Sequence, residues 1–446
     1  MRSALAGVAF LSLASFSGAQ RSTATTAPKC QVWVTSGLGS SNLTIIDSWT
    51  SSVATLPVGA AHTNLTFNRS GTKVFVSMQN TGVKMVNVAT SEVTPVAAGG
   101  FAAGGGSFGA IAASPTADVV LVAADDLAGS ANGYTALNSE TGAQVGSPVA
   151  MTKRSSAIAF GPTGTAYSPE FDVPAVADKI DVLNASVPSR TTQFSVGSSV
   201  GETFTAAAVA APTGQTPLLF VGGYDGADRY LKVIDTNSGA VGATVSLSGI
   251  PYGMAASPAG DRLFVTQPLQ NSVLVVDTLT RALVATIPVG SNPYGVAVTP
   301  DGRFAYVANN GSDTVSKINL TSLAVVGTIQ TNSFPSNVAI GPTGCVSVEP
   351  QVASTTTIAP TTTLAPTTTL APTATAAQST SDIPLATSTV APATTVADQT
   401  RVESSGQSTR GALPATGNSG LDGTVFLALA FVVAGWLVVR SRTTSS

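Results

Sequence analysis

Short apolar runs separated by tight turns repeat along the middle of the chain. A turn made of a small residue, Pro, any residue and Gly recurs at intervals of roughly 42 to 50 residues, which indicates a repeat architecture. The regular copies are Gly161–Gly164, Ala211–Gly214, Ser257–Gly260, Thr299–Gly302 and Gly341–Gly344. Two less regular copies precede them at Asn68–Gly71 and Ser114–Ala117.

Each turn lies between two apolar runs, as in Tyr294–Val298 and Phe304–Ala308, and this pattern is typical of a β-hairpin. A third run ends in Asp or Asn, and a fourth follows, as in Ala282–Ile287. The residues that end the third runs are Asp47, Asn87, Asn138, Asn184, Asp235, Asp277 and Asn319. We expect these side chains to accept hydrogen bonds from the backbone of the next turn rather than to form a ring of ligands.

Four strands in each repeat predict the blade of a β-propeller. Complete blades begin near positions 59, 106, 153, 202, 250 and 292. Residues 30–58 supply the later strands of one more blade, and Ser336–Ile340 supplies its innermost strand. The sequence therefore predicts an all-β, seven-bladed propeller over residues 20–350, closed by strands from both ends and monomeric.

The chain has two cysteines, Cys30 and Cys345, and both fall at this predicted seam. In an exported protein such a pair predicts a disulfide that closes the ring. The alternative is two buried thiols that do not pair.

Both ends of the chain carry export and retention features. Residues 1–19 combine Arg2, an apolar stretch and a small-residue cleavage pattern, which predicts a signal peptide. Residues 351–412 are rich in Thr and Pro, which predicts a disordered, extended stalk whose maximum reach is about 190 Å.

The C-terminal region, residues 413–446, contains a pentapeptide, an apolar segment at about 424–439 and a basic end, in that order. The apolar segment predicts a transmembrane helix that the arginines hold at the cytoplasmic side. The pentapeptide is Leu413, Pro414, Ala415, Thr416 and Gly417. This order resembles the LPxTG cell-wall sorting signal of Gram-positive surface proteins; an anchor signal of the GPI type is the nearest alternative.

The sorting-signal resemblance implies that a sortase cuts between Thr416 and Gly417 and joins Thr416 to peptidoglycan. The expected partners are therefore the sortase and peptidoglycan, and contact with the membrane is limited to the C-terminal segment before sorting. The protein is therefore expected to be secreted and attached to the cell wall at the cell surface.

The repeat at Asn292–Asn309 resembles the YVTN family of β-propeller repeat proteins. The family is named after a four-residue motif, which corresponds in this chain to Tyr306-Val307-Ala308-Asn309. The resemblance implies surface location and interaction with other molecules more than it implies a reaction.

Composition narrows the function classes. Charged residues make up 10% of the chain and the formal net charge is −3, which argues against nucleic-acid binding. The single histidine, His62, excludes metal sites built from several imidazoles. We assign no catalytic residue.

Two groups of residues are candidates for binding. The first, at the beginnings of the inner strands on one face, is His62, Tyr252, Tyr294 and Ser336. The tyrosines could stack on a sugar or hold a peptide, or they could only close the mouth of the channel. The second group, in loops on the same face, is Asp125, Asp126, Glu170, Asp172, Asp225 and Asp228. These carboxylates could hold a divalent cation such as calcium, or they could be solvated turn residues; no other cofactor is expected.

The sequence thus predicts a non-catalytic binding or adhesion module held out from the wall, with a surface protein or glycan as its ligand. One alternative is a metal-assisted lactone or glycan hydrolase that uses the acidic rim. The other is a purely structural wall protein.

Overall fold

The computed structural model describes residues 30–341, apart from positions 38–39, 60–61, 79–81, 97–106, 126–131, 152–153, 156, 172–178, 185, 187, 197–202, 227 and 332–333. The predicted signal peptide, stalk, sorting signal and transmembrane segment lie outside the described residues. Within them, the structure contains no helix that is both long and apolar enough to span a bilayer.

The described residues form seven antiparallel sheets, and each sheet is one blade. The first three strands belong to the blade that closes the ring, blade 7: β1 (Gln31–Ser36), β2 (Asn42–Asp47) and β3 (Val53–Pro57). Blade 1 contains β4 (His62–Phe67), β5 (Lys73–Met78), β6 (Gly82–Asn87) and β7 (Val93–Val96). Blade 2 contains β8 (Ser107–Ala113), β9 (Val119–Asp125), β10 (Asn132–Asn138) and β11 (Gln144–Met151).

Blade 3 differs from the others because its inner strand is in two pieces that both pair with β14. Its strands are β12 (Arg154–Ser155), β13 (Ala159–Phe160), β14 (Thr165–Phe171), β15 (Lys179–Asn184) and β16 (Ser189–Ser195). Blade 4 contains β17 (Thr203–Ala210), β18 (Leu218–Asp225), β19 (Asp228–Asp235) and β20 (Val241–Ser246).

The last two complete blades have the most regular sequence. Blade 5 contains β21 (Met254–Ala256), β22 (Arg262–Gln267), a short 3₁₀ turn at Pro268–Gln270, β23 (Ser272–Asp277) and β24 (Leu283–Pro288). Blade 6 contains β25 (Pro293–Val298), β26 (Phe304–Asn309), β27 (Thr314–Asn319) and β28 (Ala324–Gln330).

The final strand, β29 (Pro335–Ile340), closes the ring by pairing with β1. In this pairing Val32 lies opposite Ile340 and Val34 lies opposite Val338. The predicted seven blades, their starting points and the shared closing blade are therefore confirmed. Closure matters because it leaves no blade without a neighbour on either face.

The repeated turn has a backbone reason for its glycine. In the turns at Ser257–Gly260 and Thr299–Gly302 the glycine amide donates a 2.8 Å hydrogen bond to the first residue, and the glycine φ is 71° or 69°. Only glycine adopts this left-handed conformation without steric cost. The sequence signal that located the blades is thus a conformational requirement of the first hairpin.

The Asp or Asn at the end of each third strand begins the next turn, as predicted. The Oδ1 of Asp277 accepts the amides of Leu279 and Thr280 at 3.1 and 2.7 Å. The Oδ1 of Asn319 accepts the amides of Thr321 and Ser322 in the same way. The pattern recurs in every blade, so these residues stabilise turns and do not form a ligand ring.

The core lies between the blades. Seven clusters of buried apolar side chains fill the seven interfaces between neighbouring blades. The third position of the second strand contributes a large, fully buried side chain in most blades, such as Trp33, Phe75 and Phe264. Since successive strand residues point to opposite faces, each sheet packs against both of its neighbours.

Cys30, which immediately precedes β1, is buried. The part of the chain that the structure describes contains no free cysteine. Cys345 lies outside the described residues, so the predicted pairing of Cys30 with Cys345 stays a prediction.

Candidate functional site

At one end of the propeller, a Pro followed by a hydroxyl-bearing residue stands at or just before the start of three consecutive inner strands. These mouth segments are residues 250–252, 292–294 and 334–336. They belong to blades 5, 6 and 7, whose inner strands β21, β25 and β29 contact one another. We call this end of the central channel, over these three blades, the channel mouth.

Tyr252 and Tyr294 are stacked at the channel mouth. Their ring centroids are 4.4 Å apart and their planes make an angle of 22°. Tyr294 is 5% exposed, whereas Tyr252 remains partly exposed. The parallel arrangement is one of the preferred geometries of aromatic pairs, and Tyr252 is the ring of the pair that solvent reaches.

The backbone around the tyrosines explains why they meet. The hydroxyl of Thr266 donates to the carbonyl of Tyr294 at 2.6 Å and accepts the amide of Gly253 at 2.7 Å. A Cβ on Gly253 would lie 2.2 Å from the carbonyl oxygen of Tyr294. Glycine therefore lets the two inner strands approach closely enough for the preceding side chains to stack.

Both tyrosines are neutral at physiological pH. Burial raises the pKa of Tyr252, and a nearby Tyr294 phenolate would raise it further. Burial also raises the pKa of Tyr294, against a smaller opposing effect of the hydrogen bond from Asn292. The aromatic surface therefore carries hydroxyl groups and no charge.

The third mouth segment adds hydroxyl and amide groups. The hydroxyls of Ser336 and Thr35 share a hydrogen bond of 2.9 Å. The next residue, Asn337, donates from Nδ2 to Oδ1 of Asn64 at 2.8 Å. Both asparagines are partly exposed and belong to neighbouring inner strands, β29 and β4.

His62, the other predicted ligand-binding residue, is closed off from this surface. It is 2% exposed, and its Nδ1 accepts the amide of Ser36 at 3.1 Å. Burial is the main cause that lowers its pKa, so the imidazole is neutral near pH 7. The structure brings Tyr252 and Tyr294 into contact, places Ser336 on the neighbouring inner strand β29, and places His62 between blades 7 and 1.

The predicted acidic rim is only partly described. Asp225 and Asp228 face each other across the turn between β18 and β19, where Asp225 is half-buried and Asp228 exposed. Asp126 and Asp172 lie outside the described residues, and of Asp125 only the backbone is described. Within the described ranges no group of three or more His, Cys, Asp or Glu side chains could hold a metal ion.

The comparisons with known proteins agree with the propeller fold. No family model matches the chain, and no curated protein sequence matches it. Among solved structures, the chain is similar to hydrazine synthase from Kuenenia stuttgartiensis, with a TM-score of 0.52 and 19% sequence identity. The match covers 64% of this chain and 90% of that one. At this identity the similarity shows the fold alone, and the YVTN and LPxTG resemblances stay predictions.

Glu170, the remaining residue of the predicted acidic rim, lies in a buried cluster of charges between blades 2 and 3. Glu170 and Asp181 are both 0% exposed. Arg190 contacts both: its Nη2 lies 3.5 Å from Oε1 of Glu170, and its Nε lies 2.7 Å from Oδ1 of Asp181. Glu170 is therefore held beside a cation in the interior rather than with Asp225 and Asp228 at a solvated rim.

Sequence reasoning missed the other members of this cluster. Gln193 donates to Oδ1 of Asp181 at 2.7 Å, and the hydroxyl of Tyr134 in blade 2 donates to Oδ2 at 3.3 Å. Burial, followed by the charge of Asp181, raises the pKa of Tyr134 well above its usual value. The sequence contained one signal: Asp181 stands three residues before Asn184, at a position where two other blades carry Lys84 and Lys232 and no other blade carries an acidic residue.

Proposed function

We propose that this protein is a non-catalytic binding or adhesion module anchored to the cell wall, and that the channel mouth over blades 5, 6 and 7 is its ligand-binding face. The observation that carries the proposal is the stack of Tyr252 on Tyr294. Stacked aromatic rings beside uncharged hydroxyl and amide groups form the kind of surface on which ligands are oriented and desolvated.

The location in the cell wall is supported by the order of sequence features. Residues 1–19 direct export, residues 351–412 provide reach, and the Leu413–Gly417 motif with its apolar and basic tail provides attachment. In this proposal a sortase joins Thr416 to peptidoglycan, so the channel mouth is held away from the cell. The propeller acts as a monomer.

Binding is favoured over hydrolysis by the positions of the ionisable groups. His62 is buried and neutral, and its Nδ1 is occupied by the amide of Ser36. Glu170 is engaged with Arg190 inside the propeller. No observation gathers the described carboxylates at the channel mouth, so we propose no reaction and no metal.

The proposal can be tested with the full-length chain displayed on a Gram-positive host that expresses its own sortase. The measurement is the retention of cells, under flow, on a surface coated with cell-envelope polysaccharide and protein. Tyr252→Ser is the informative variant, because Ser336 occupies the equivalent position in blade 7 and shows that the fold accepts a serine there. We expect retention to fall about tenfold, since aromatic residues dominate binding energy.

Trp49→Ala provides the matched control. Trp49 is 40% exposed and lies in the turn after β2, at the end of the blades opposite the channel mouth. Its hydrogen bond to Asp47 is made by the backbone amide, so the substitution keeps that bond. This variant should keep full retention. Equal retention of the wild type and Tyr252→Ser, at equal display, would show that the channel mouth does not bind. Retention that is no better than that of host cells without the protein would favour the purely structural alternative.

A further inference from the structure

Phe334 is an exposed aromatic residue in an unfavourable backbone conformation. Its φ is 56°, in the left-handed region, and half of its side chain is exposed (50%). Glycine and asparagine adopt this conformation readily, whereas a bulky side chain there is uncommon. In the preceding mouth segment the equivalent residue is Asn292, whose φ is 55°.

Hydrogen bonds on both sides fix this conformation. The amide of Phe334 donates to Oδ1 of Asp313 at 2.7 Å, and its carbonyl accepts the amide of Gly37 at 2.6 Å. Nδ2 of Asn310 then donates to the carbonyl of Pro335 at 3.2 Å. The backbone is therefore determined by its partners, and nothing in these contacts requires a phenylalanine side chain.

The loop that contains Asn310 and Asp313 also forms hydrogen bonds with the segment before Tyr294. This loop, residues 309–313, binds the segment before Tyr294 through two backbone bonds: Asn310 N to Asn292 O and Gly311 N to Ser291 O, each 3.0 Å. The 309–313 loop therefore holds the mouth segments of two neighbouring blades, one with Tyr294 and one with Phe334.

None of the three mouth segments contains a charged residue. Ser336, Asn337 and Asn64 supply hydroxyl and amide groups, and both tyrosines are neutral phenols. The charged residue of the 309–313 loop is Asp313, and its Oδ1 already accepts the amide of Phe334. Such a surface offers apolar faces for the CH side of a sugar ring and donors and acceptors for its hydroxyls.

We infer that Phe334 is a ligand-contacting residue of the channel mouth, and that the ligand is an uncharged glycan whose ring packs on the Phe334 side chain. The inference rests on the proposed binding function and names its ligand class. A strained residue with an exposed aromatic side chain is better explained by a contact with a ligand than by folding.

The test uses the full-length chain and defined probes: immobilised β-glucan, α-mannan and galactan, with gelatin as the polypeptide surface. The variants are Phe334→Asn, which keeps the backbone preference seen at Asn292, and Phe334→Trp, which keeps an aromatic face. Leu279→Asn is the matched control, because Leu279 is 52% exposed in a turn at the other end of blade 5 and Asn237 is its equivalent in blade 4. Thermal unfolding of each variant confirms that it is folded.

We expect the wild type to bind at least one of the three polysaccharides, Phe334→Asn to bind it about five- to tenfold more weakly, and the Trp and Leu279 variants to bind it normally. If Phe334→Asn binds as well as the wild type while Tyr252→Ser binds weakly, the role of Phe334 is wrong and the proposed function stands. Binding to gelatin alone, weakened by Phe334→Asn, would overturn the glycan and identify a polypeptide ligand. Binding to none of these surfaces would overturn the inference, and retention on the mixed envelope surface would then decide the proposed function separately.

Discussion

Asn337 donates a 2.8 Å hydrogen bond from Nδ2 to Oδ1 of Asn64, and this bond joins the last described strand of the propeller to its first complete blade. Each amide also braces its own strand. Oδ1 of Asn337 accepts the amide of Val338 at 2.7 Å, and Oδ1 of Asn64 accepts the amide of Leu65 at 2.8 Å. The pair therefore connects the two ends of the fold beside the central channel.

Removing one member should weaken closure of the ring. We expect Asn337→Ala to lower the free energy of unfolding by about 1 to 3 kcal/mol, because the variant loses hydrogen bonds and leaves partly buried partners unsatisfied. Urea unfolding of the full-length chain measures the change. Asn237→Ala, in the exposed turn after β19, is the control and should change the free energy by less than about 0.5 kcal/mol. Equal effects of the two substitutions would contradict a role for the Asn pair in closure.

The predicted disulfide would also stabilise the closed ring, because it joins the two ends of the propeller. If Cys30 and Cys345 are bonded, the closed loop includes nearly the whole propeller, and the chain-entropy relation gives an upper estimate of about 6 kcal/mol for the stabilisation. Reduction should then lower the melting temperature of the wild type and leave a Cys30→Ser, Cys345→Ser double variant unchanged. Peptide mapping without reductant should recover the two cysteines as one linked species. Recovery of two separate thiol peptides from the native protein would show that the pairing is wrong.

The turn aspartates predict how stability depends on pH. Hydrogen bonds from Thr280 and from Ser238 lower the pKa of Asp277 and of Asp235, respectively, below the usual 3.8. A carboxylate with a lowered pKa stabilises the fold above its unfolded pKa, and this contribution disappears as the pH falls through the folded pKa. Acid should therefore weaken these two turns.

Asparagine tests this mechanism because it fills the same turn position in other blades, as at Asn319. We expect the Asp235→Asn, Asp277→Asn double variant to match the wild type at pH 7 and to lose less stability between pH 5 and pH 3. The measurement is the urea midpoint at each pH. A double variant that follows the pH profile of the wild type throughout would exclude these two carboxylates as a source of acid sensitivity.

The buried charge cluster predicts a larger effect. Replacing Arg190 by Met would remove the guanidinium that contacts Asp181 and Glu170, both fully buried, and removing one partner of a buried ion pair costs about 3 to 5 kcal/mol. Arg69→Met is the control, because Arg69 and Asp118 form an exposed pair, which is worth at most about 1 kcal/mol. Adding Asp181→Asn and Glu170→Gln to the Arg190 variant should recover part of the loss. The absence of any recovery would mean that packing, rather than charge, dominates at Arg190.

The fold was predictable because its signals are local and repeated. The glycine of each first turn and the Asp or Asn of each third strand are required by the backbone within a few residues, as at Gly302 and Asp277. Blade count and closure then followed from the number of copies and from the two fragments at the ends. The tyrosine stack was also accessible, since Tyr252 and Tyr294 occupy the same position in consecutive repeats.

The features that the sequence did not reveal, such as the buried charge cluster, depend on contacts between residues that are distant in sequence. Asp181 faces Tyr134 of the preceding blade, 47 positions earlier in the chain, so no local pattern reveals their hydrogen bond. The sequence predicts Glu170 in a solvated loop because it is acidic and close to the end of β14, yet Arg190 from β16 reaches it in the interior. The left-handed conformation of Phe334 contradicts the preference of its own side chain, and the hydrogen bonds with Asp313 and Gly37 hold it in place.

That contradiction gives a prediction about stability that is independent of any ligand. Because the backbone of Phe334 has a φ of 56°, asparagine should be tolerated there and a β-branched residue should not. We expect Phe334→Asn to leave the free energy of unfolding unchanged within about 0.5 kcal/mol, as relief of strain offsets the loss of a half-exposed ring. Phe334→Val should lower it by about 1 to 2 kcal/mol, since it keeps an apolar side chain but increases the strain. Urea midpoints of the two variants give the comparison directly. If Phe334→Val is more stable than Phe334→Asn, the Phe334 side chain contributes to packing. That result would remove the structural reason for assigning this ring to a ligand contact.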